Sequence, residues 1–173
     1  MTDYSTQASD LMDVQDEDTQ EGKFLTFSLG KEEYGIAIRH VTEIIGIQAI
    51  TDLPDTPAFV KGVINLRGKV IPVIDVRLRF NFQEKEYTDR TCFVVVTING
   101  MTVGLIVDSV SEVIDIAADQ IEPPPKVNQG VGSRYIQGLG KVGEHVKILL
   151  DINKLLFEQE REAIAELVTT QGA

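Results

Sequence analysis

Short apolar or alternating runs, separated by turn sequences, set the pattern of this chain. The clearest is "TCFVVVTINGMTVGLIVD", residues 91–108, in which two β-branched runs flank Asn99-Gly100. That dipeptide is typical of a type I′ hairpin turn, because both residues tolerate positive φ. The pattern therefore predicts a hairpin here, and a second one with strands near Gly62–Leu66 and Lys69–Val76.

Similar patterns recur along the chain, and each predicts a strand. They are "FLTFSLG", "EEYGIAI", "VSEVIDI" and "YIQGLGKVGEHVKILLDI", the last folding back around Gly143-Glu144. About nine short strands with few helices predict a mainly β fold, either a sandwich or a barrel.

Two stretches follow a helical period instead. In "RHVTEIIG", residues 39–46, Val41, Ile44 and Ile45 are spaced i, i+3, i+4, which predicts a short helix ending at Gly46. Residues 152–168 combine good helix formers with apolar positions at helical spacing, which predicts a C-terminal helix. So few helices do not suffice for a doubly wound parallel sheet.

Charge is concentrated at the two ends of the chain. Of the formal net charge of −11, residues 1–21 contribute −7 and residues 151–173 contribute −3. We expect the first stretch to be a disordered acidic arm. The nearly neutral middle lacks the basic footprint that nucleic acids and anionic lipids require, so neither is expected as a partner.

The compartment follows from what the sequence lacks. Its single cysteine, Cys92, has no internal disulfide partner, which suits a reducing compartment. Residues 1–21 hold no Lys or Arg, unlike a signal peptide, and no window approaches the roughly 18 apolar residues that span a bilayer. We expect a cytoplasmic protein that is not inserted into a membrane.

Two glycine-rich stretches resemble nucleotide-binding loops. Gly138–Gly143 matches the G-x-G-x-x-G pattern, but a strand-like sequence follows it where the mechanism needs a helix N-terminus. Between Gly62 and Gly68 the spacing is wrong for a P-loop, and Val70 stands where a magnesium-binding Ser or Thr is required. We therefore expect no cofactor, and glycines that allow strands to bend or pack closely.

Few side chains suit metal binding or nucleophilic catalysis. His40, His145 and Cys92 offer no credible zinc set, so no metal is expected. Cys92 lies inside an apolar run and is predicted to be a buried structural thiol. The sequence therefore favours a binding module over an enzyme.

Asp75 and Asp108 each close an apolar strand, and paired carboxylates are able to perform acid–base catalysis. An acid at the end of a strand more often caps a turn or pairs with a nearby arginine, here Arg77 or Arg79. We therefore do not assign these residues a catalytic role.

Arg67 lies at the tip of the second predicted hairpin, where the turn needs Gly68 but does not need an arginine. One interpretation is a solvated turn residue. The other is a partner contact, because arginine offers a rigid fork of donors and is enriched at interface hot spots. The apolar face at Val41, Ile44 and Ile45 likewise has a core and an interface interpretation. The residues alone favour a core role for this face and a solvated turn for Arg67, without excluding a partner contact at either.

Four stretches together resemble the CheW-like domain family of chemotaxis coupling proteins, over roughly residues 22–160. They are "EYGIAIRHVTEII", "TPAFVKGVINLRGKVIPVIDVRLRF", "VGLIVDSVSEVIDI" leading into "IEPPP", and "YIQGLGKVGEHVKILLDINKLL". The resemblance implies two SH3-like five-stranded β-barrel subdomains side by side, with short helices. The acidic arm 1–21 and the segment 161–173, the helix end and tail, lie outside it.

The resemblance also implies a non-catalytic adaptor that couples the cytoplasmic tips of chemoreceptors to the histidine kinase CheA in membrane-associated arrays. In the family, a receptor helix docks in a groove between the barrels. The implied receptor-binding residues are Asn65, Leu66, Arg67 and Gly68, with Val107 and Asp108 on the groove wall. The implied contact for the CheW-like domain of CheA is a separate apolar patch at Ile38, Val41, Glu43 and Ile44.

Two other functions compete with this one. An adaptor for a different chemosensory pathway, serving other motility, development or second-messenger output, would show the same coupling surfaces. A small nucleotide-binding enzyme would use the loop at Gly138–Gly143, and a thermal shift with NAD or ATP would reveal it.

Overall fold

The computed structural model describes residues 21–124, 134–156 and 160–166. Apart from Glu21, the predicted acidic arm lies outside these residues, as does the chain after residue 166. The described part is mainly β, with eleven strands and few helical segments. The strands are β1 (Lys23–Leu29), β2 (Glu32–Ala37), β3 (Val41–Gly46), β4 (Val60–Leu66), β5 (Lys69–Asp75), β6 (Cys92–Ile98), β7 (Met101–Val107), β8 (Ser109–Asp115), β9 (Ile121–Glu122), β10 (Ile136–Val142) and β11 (His145–Leu150).

The helical segments are short. Helix α1 spans Val76–Arg79 and directly follows β5. Single 3₁₀ turns occupy Ile38–His40, Ala118–Gln120 and Ile152–Lys154. Within the stretch predicted as a C-terminal helix, residues 160–166 are helical (α2).

The strands form two sheets, which agrees with a fold of two small β-barrels. Sheet A has six strands in the order β8-β1-β2-β11-β10-β9, and sheet B has five in the order β3-β6-β7-β5-β4. Most neighbouring strands are antiparallel, but β2 with β11 and β5 with β7 pair in parallel. The sixth strand of sheet A is β9, which contributes only two residues.

Three apolar clusters hold these sheets. One lies within sheet A around Phe24, Ile116 and Leu149, and one within sheet B around Phe93 and Val95. The largest cluster contains residues of both sheets and joins them. Strand β6 has a continuous apolar run because both of its faces are buried. Val94 and Val96 belong to the shared cluster, whereas Phe93 and Val95 belong to the cluster within sheet B. A strand buried on both faces has no polar face to alternate with.

The helix predicted for residues 39–46 is wrong. Only Ile38–His40 forms a 3₁₀ turn, and Val41–Gly46 is the edge strand β3, paired antiparallel with β6. Val41, Ile44 and Ile45 are β-branched and fit a pleated strand as well as a helix face. A bulge between Val41 and Glu43 shifts the alternation of side chains between the two faces of the strand. The apolar residues of such a strand are therefore not spaced by two, and their spacing resembles that of a helix.

The glycines of the G-x-G-x-x-G pattern lie in strand β10 and its turn, and strand β11 follows them instead of a helix. A Cβ placed on Gly138 would lie 2.7 Å from the side chain of Ile121, and one on Gly140 would lie 2.9 Å from Ile116. These glycines allow the close packing that the sequence predicted.

Candidate functional site

The hairpin turn between β4 and β5 is built by a two-residue loop, Arg67-Gly68. Both residues have positive φ, 52° at Arg67 and 86° at Gly68, which is the geometry of a type I′ turn. The side-chain oxygen of Asn65 accepts a hydrogen bond from the Gly68 amide at 2.7 Å. The side chain of Gln48 donates to the carbonyl of Asn65 at 3.1 Å. The turn is therefore held from both sides.

The turn presents a polar tip above an apolar base. Asn65 and Arg67 are exposed, whereas Leu66 is half-buried and packs against the core of sheet B. With 70% of its side chain accessible, Arg67 is available to a partner.

Arg67 forms a two-point ion pair with Glu43 of the edge strand β3. One guanidinium nitrogen lies 3.1 Å from Oε1, and the other hydrogen-bonds Oε2. The hydrogen bonds from Arg67 hold the pKa of Glu43 below its usual value. The pair connects the β4–β5 turn to β3, the strand at the other edge of sheet B.

Strand β3 carries most of the predicted kinase-binding residues, and they are not equally accessible. Ile38 and Val41 are half-buried and pack against the shared core. Ile44 is 43% exposed and is one of four large apolar side chains that project into solvent among the described residues. Ile44 is therefore the accessible member of this set, whereas Glu43 has 28% of its side chain exposed and is bound to Arg67.

The sequence model of the CheW-like domain matches residues 23–160, most of the chain. The chain belongs to the CheW-like domain family.

Named relatives agree with this assignment. A chemotaxis protein CheW of Klebsiella aerogenes is 44% identical over 138 residues, covering 80% of this chain and 83% of the relative. A chemotaxis protein CheW of Treponema pallidum is 36% identical over 162 residues, covering 90% of this chain and 92% of the relative. The crystal structure of the scaffolding protein TtCheW from Thermoanaerobacter tengcongensis shares a TM-score of 0.74 and 38% identity, covering 80% of this chain and 94% of that one.

Two features of this CheW-like domain depart from the sequence-based map. The receptor-contact and kinase-contact residues were predicted as separate patches, but Arg67 and Glu43 bring them into direct contact. Val107, predicted for the groove wall, has only 1% of its surface exposed and belongs to the shared core. Its side chain is not available to a partner.

Asp108 is engaged internally by Arg77, and its side chain is 14% exposed. The sequence-based expectation that a strand-ending acid pairs with a nearby arginine is confirmed here. Asp75 caps α1 by accepting a hydrogen bond from the Leu78 amide at 3.3 Å, and it accepts another from the Tyr87 hydroxyl at 2.9 Å. Both carboxylates are thus committed to structure.

Sequence reasoning missed Gln48, whose bond to the Asn65 carbonyl supports the turn of this CheW-like domain. No local signal marks it, because it lies in an irregular segment and reaches a partner 17 residues away. Within the described residues, no cluster of three or more His, Cys, Asp or Glu side chains could hold a metal ion. None of the described helices is long and apolar enough to cross a membrane.

Proposed function

We propose that this CheW-like chemotaxis adaptor works through two contact surfaces that meet at the Arg67–Glu43 ion pair. The protein couples chemoreceptors to the histidine kinase CheA. It does so by binding and without catalysis, at the cytoplasmic face of membrane-bound receptor arrays. The strongest support is the exposed arginine in a hairpin turn whose backbone geometry does not call for one.

The receptor contact is a groove between the two sheets, lined on the sheet B side by the turn Asn65–Gly68. A receptor tip is helical, and helix-in-groove recognition needs an apolar base with polar groups at its edge. Leu66 supplies the apolar surface, and Arg67 supplies donors that reach carboxylates or helix carbonyls. Asn65 and Gly68 set the turn that presents both side chains.

The kinase contact is the edge strand β3. Ile44 is its apolar anchor, with Glu43 beside it, while Ile38 and Val41 support the strand from below. Because the CheW-like domain of CheA is of the same fold family, an exposed strand edge with one apolar side chain fits such a partner.

The experiment compares Arg67→Ala, Ile44→Asp and the control Asn99→Ala in binding to purified chemoreceptor cytoplasmic fragments and to CheA. Ile44 is chosen over Val41, because a charge at a half-buried core position would unfold the strand. We expect Arg67→Ala to weaken receptor binding by about 2 kcal/mol, roughly 30-fold. Ile44→Asp weakens kinase binding by a similar amount, and Asn99→Ala changes neither.

Circular dichroism and melting confirm that each variant is folded. Full receptor binding by folded Arg67→Ala would remove the turn from the receptor contact. Full kinase binding by folded Ile44→Asp would remove β3 from the kinase contact. Loss of both receptor binding and CheA binding in Asn99→Ala would show that the assay reports the stability of the variant and not its contact with a partner.

A further inference from the structure

A single residue, Asp108, lies at one of the places where the chain passes from one sheet to the other. Strand β7 ends at Val107 in sheet B, and β8 begins at Ser109 in sheet A. No other residue separates them. The position of Asp108 therefore bears on how the two sheets are oriented.

The Asp108 side chain is bound from both sheets. From the sheet B side, Arg77 of α1 donates to its two oxygens, with Nε–Oδ1 at 2.7 Å and Nη2–Oδ2 at 2.6 Å. From sheet A, the amide of Gly30, in the β1–β2 turn, donates to Oδ2 at 2.8 Å. The backbone amide of Asp108 donates to the carbonyl of Ser28 at 3.1 Å.

The same pair fixes the segment that leaves α1. A further guanidinium nitrogen of Arg77 donates to the carbonyl of Gln83 at 3.2 Å, and the Lys85 ammonium lies 3.7 Å from Asp108. Burial would raise the pKa of Asp108, but the hydrogen bonds from Arg77 and Gly30 hold that pKa below its usual value. The carboxylate is therefore ionised at neutral pH.

The Arg77–Asp108 pair supplies a directional contact between the sheets, which the shared apolar core does not. Burial of apolar area is non-directional and tolerates small rotations of one sheet on the other. A bidentate arginine–carboxylate pair is directional, and only 15% and 14% of the two side chains are exposed. It is a directional contact at the junction and can therefore select one orientation.

We propose that Arg77 and Asp108 are positioning residues that fix the orientation of sheet A against sheet B and so shape the groove in which a receptor helix docks. This inference rests on the proposed receptor contact. The anchor of the kinase contact, Ile44 of β3, lies on sheet B and does not depend on the junction.

The test uses Asp108→Asn in the full chain, with Lys147→Gln as the matched control. Lys147 is similarly buried, with 13% of its side chain exposed, but its partner Glu33 lies in the same sheet. We expect Asp108→Asn to raise the Kd for receptor fragments about tenfold and to leave the Kd for CheA within about twofold. Lys147→Gln changes neither.

A second readout measures the junction without any partner. The distance between the sheets is measured with two spin labels in a Cys92→Ser background. One label is placed at Lys69 in sheet B and the other at Glu144 in the β10–β11 turn of sheet A. We expect Asp108→Asn to broaden the distance distribution, and Lys147→Gln to leave it unchanged. Should Asp108→Asn fail to fold, Arg77→Lys keeps the charge but loses the two-point geometry, and the same result is expected.

The outcomes separate this inference from the function it builds on. An unchanged distance distribution overturns it, whatever happens to receptor binding, because a direct receptor contact by Asp108 would give weaker binding without any movement. Equal loss of receptor and kinase binding also overturns it, since that indicates general destabilisation. If the wild type binds no receptor fragment, the proposed function fails, and the distances still decide whether the pair sets the orientation.

Discussion

Two hairpin turns in sheet B share one backbone geometry but differ in the residue that adopts it. Arg67-Gly68 joins β4 to β5 with φ values of 52° and 86°, and Asn99-Gly100 joins β6 to β7 with 48° and 87°. Asparagine enters the left-handed region at little cost, whereas most other residues do so with strain of about 1–3 kcal/mol. The two turns thus solve the same problem at different energetic cost.

The side chains explain the difference. The backbone amide of Asn99 donates to the side chain of Asn153 at 3.2 Å, and its own side chain donates to the Asn153 carbonyl at 3.3 Å. That turn is tied to the rest of the fold. Arg67 instead extends over the surface to Glu43. A strained residue with an exposed side chain fits the proposed partner contact better than a role in the turn.

The largest expected effect removes the glycine from both turns. A Cβ on Gly68 or on Gly100 would meet no atom within 4 Å, so a substitution there tests backbone conformation alone. We expect Gly68→Val and Gly100→Val each to lower the free energy of unfolding by about 2 kcal/mol, because a β-branched residue strongly disfavours positive φ. Urea denaturation measures both.

The control is Lys69→Val, an exposed strand position next to the first turn, which should stay within about 0.5 kcal/mol of wild type. A much smaller loss at one glycine than at the other would show that the two turns do not share a geometry, and the comparison would no longer hold.

A smaller effect is expected when the first turn residues are exchanged. Asn99→Arg introduces strain and removes the side-chain bond to Asn153, so we expect it to lower the free energy of unfolding by about 1 kcal/mol. Arg67→Asn relieves strain but loses the exposed ion pair, so it should stay within about 0.5 kcal/mol of wild type.

The background Glu43→Gln separates these two contributions. With the ion pair already absent, Arg67→Asn should raise the free energy of unfolding by about 0.5–1 kcal/mol. Destabilisation in that background would mean that Arg67 stabilises the turn by itself, and its exposed side chain would then need no partner to explain it.

The strands were predictable because their signals are local. The Asn99-Gly100 turn, the β-branched runs of β6 and β7 and the hairpin at Gly143-Glu144 each depend on neighbouring residues. Strand β3 was not predictable in this way, because its partner strand β6 is about 50 residues away in the sequence. The bulge in β3 also gives its apolar residues a spacing that resembles a helical period. Tertiary pairing decided the conformation where local propensity was ambiguous.

The site was predictable only in part, for the same reason. The turn at Asn65–Gly68 could be located from its sequence and from family resemblance. Its partner Glu43 is 24 residues away, and the sequence offered no reason to join the two predicted surfaces. The sequence offered two arginines, Arg77 and Arg79, as partners for Asp108. The structure pairs Asp108 with Arg77, 31 residues away, and Arg79 with Glu160 of α2.

The smallest expected effect concerns the protonation of Glu43. The pKa of Glu43 is lowered in the folded protein by hydrogen bonds from Arg67, and a lowered carboxyl pKa adds stability above the unfolded pKa that is lost as the pH falls through the folded pKa. We expect Arg67→Ala to return the pKa of Glu43 towards its usual value, observed by NMR titration of its side-chain carboxyl. Asn99→Ala should leave that pKa unchanged. A Glu43 pKa that is equally low in wild type and Arg67→Ala would show that the ion pair does not persist in solution, and Arg67 would then be free for a partner at all times.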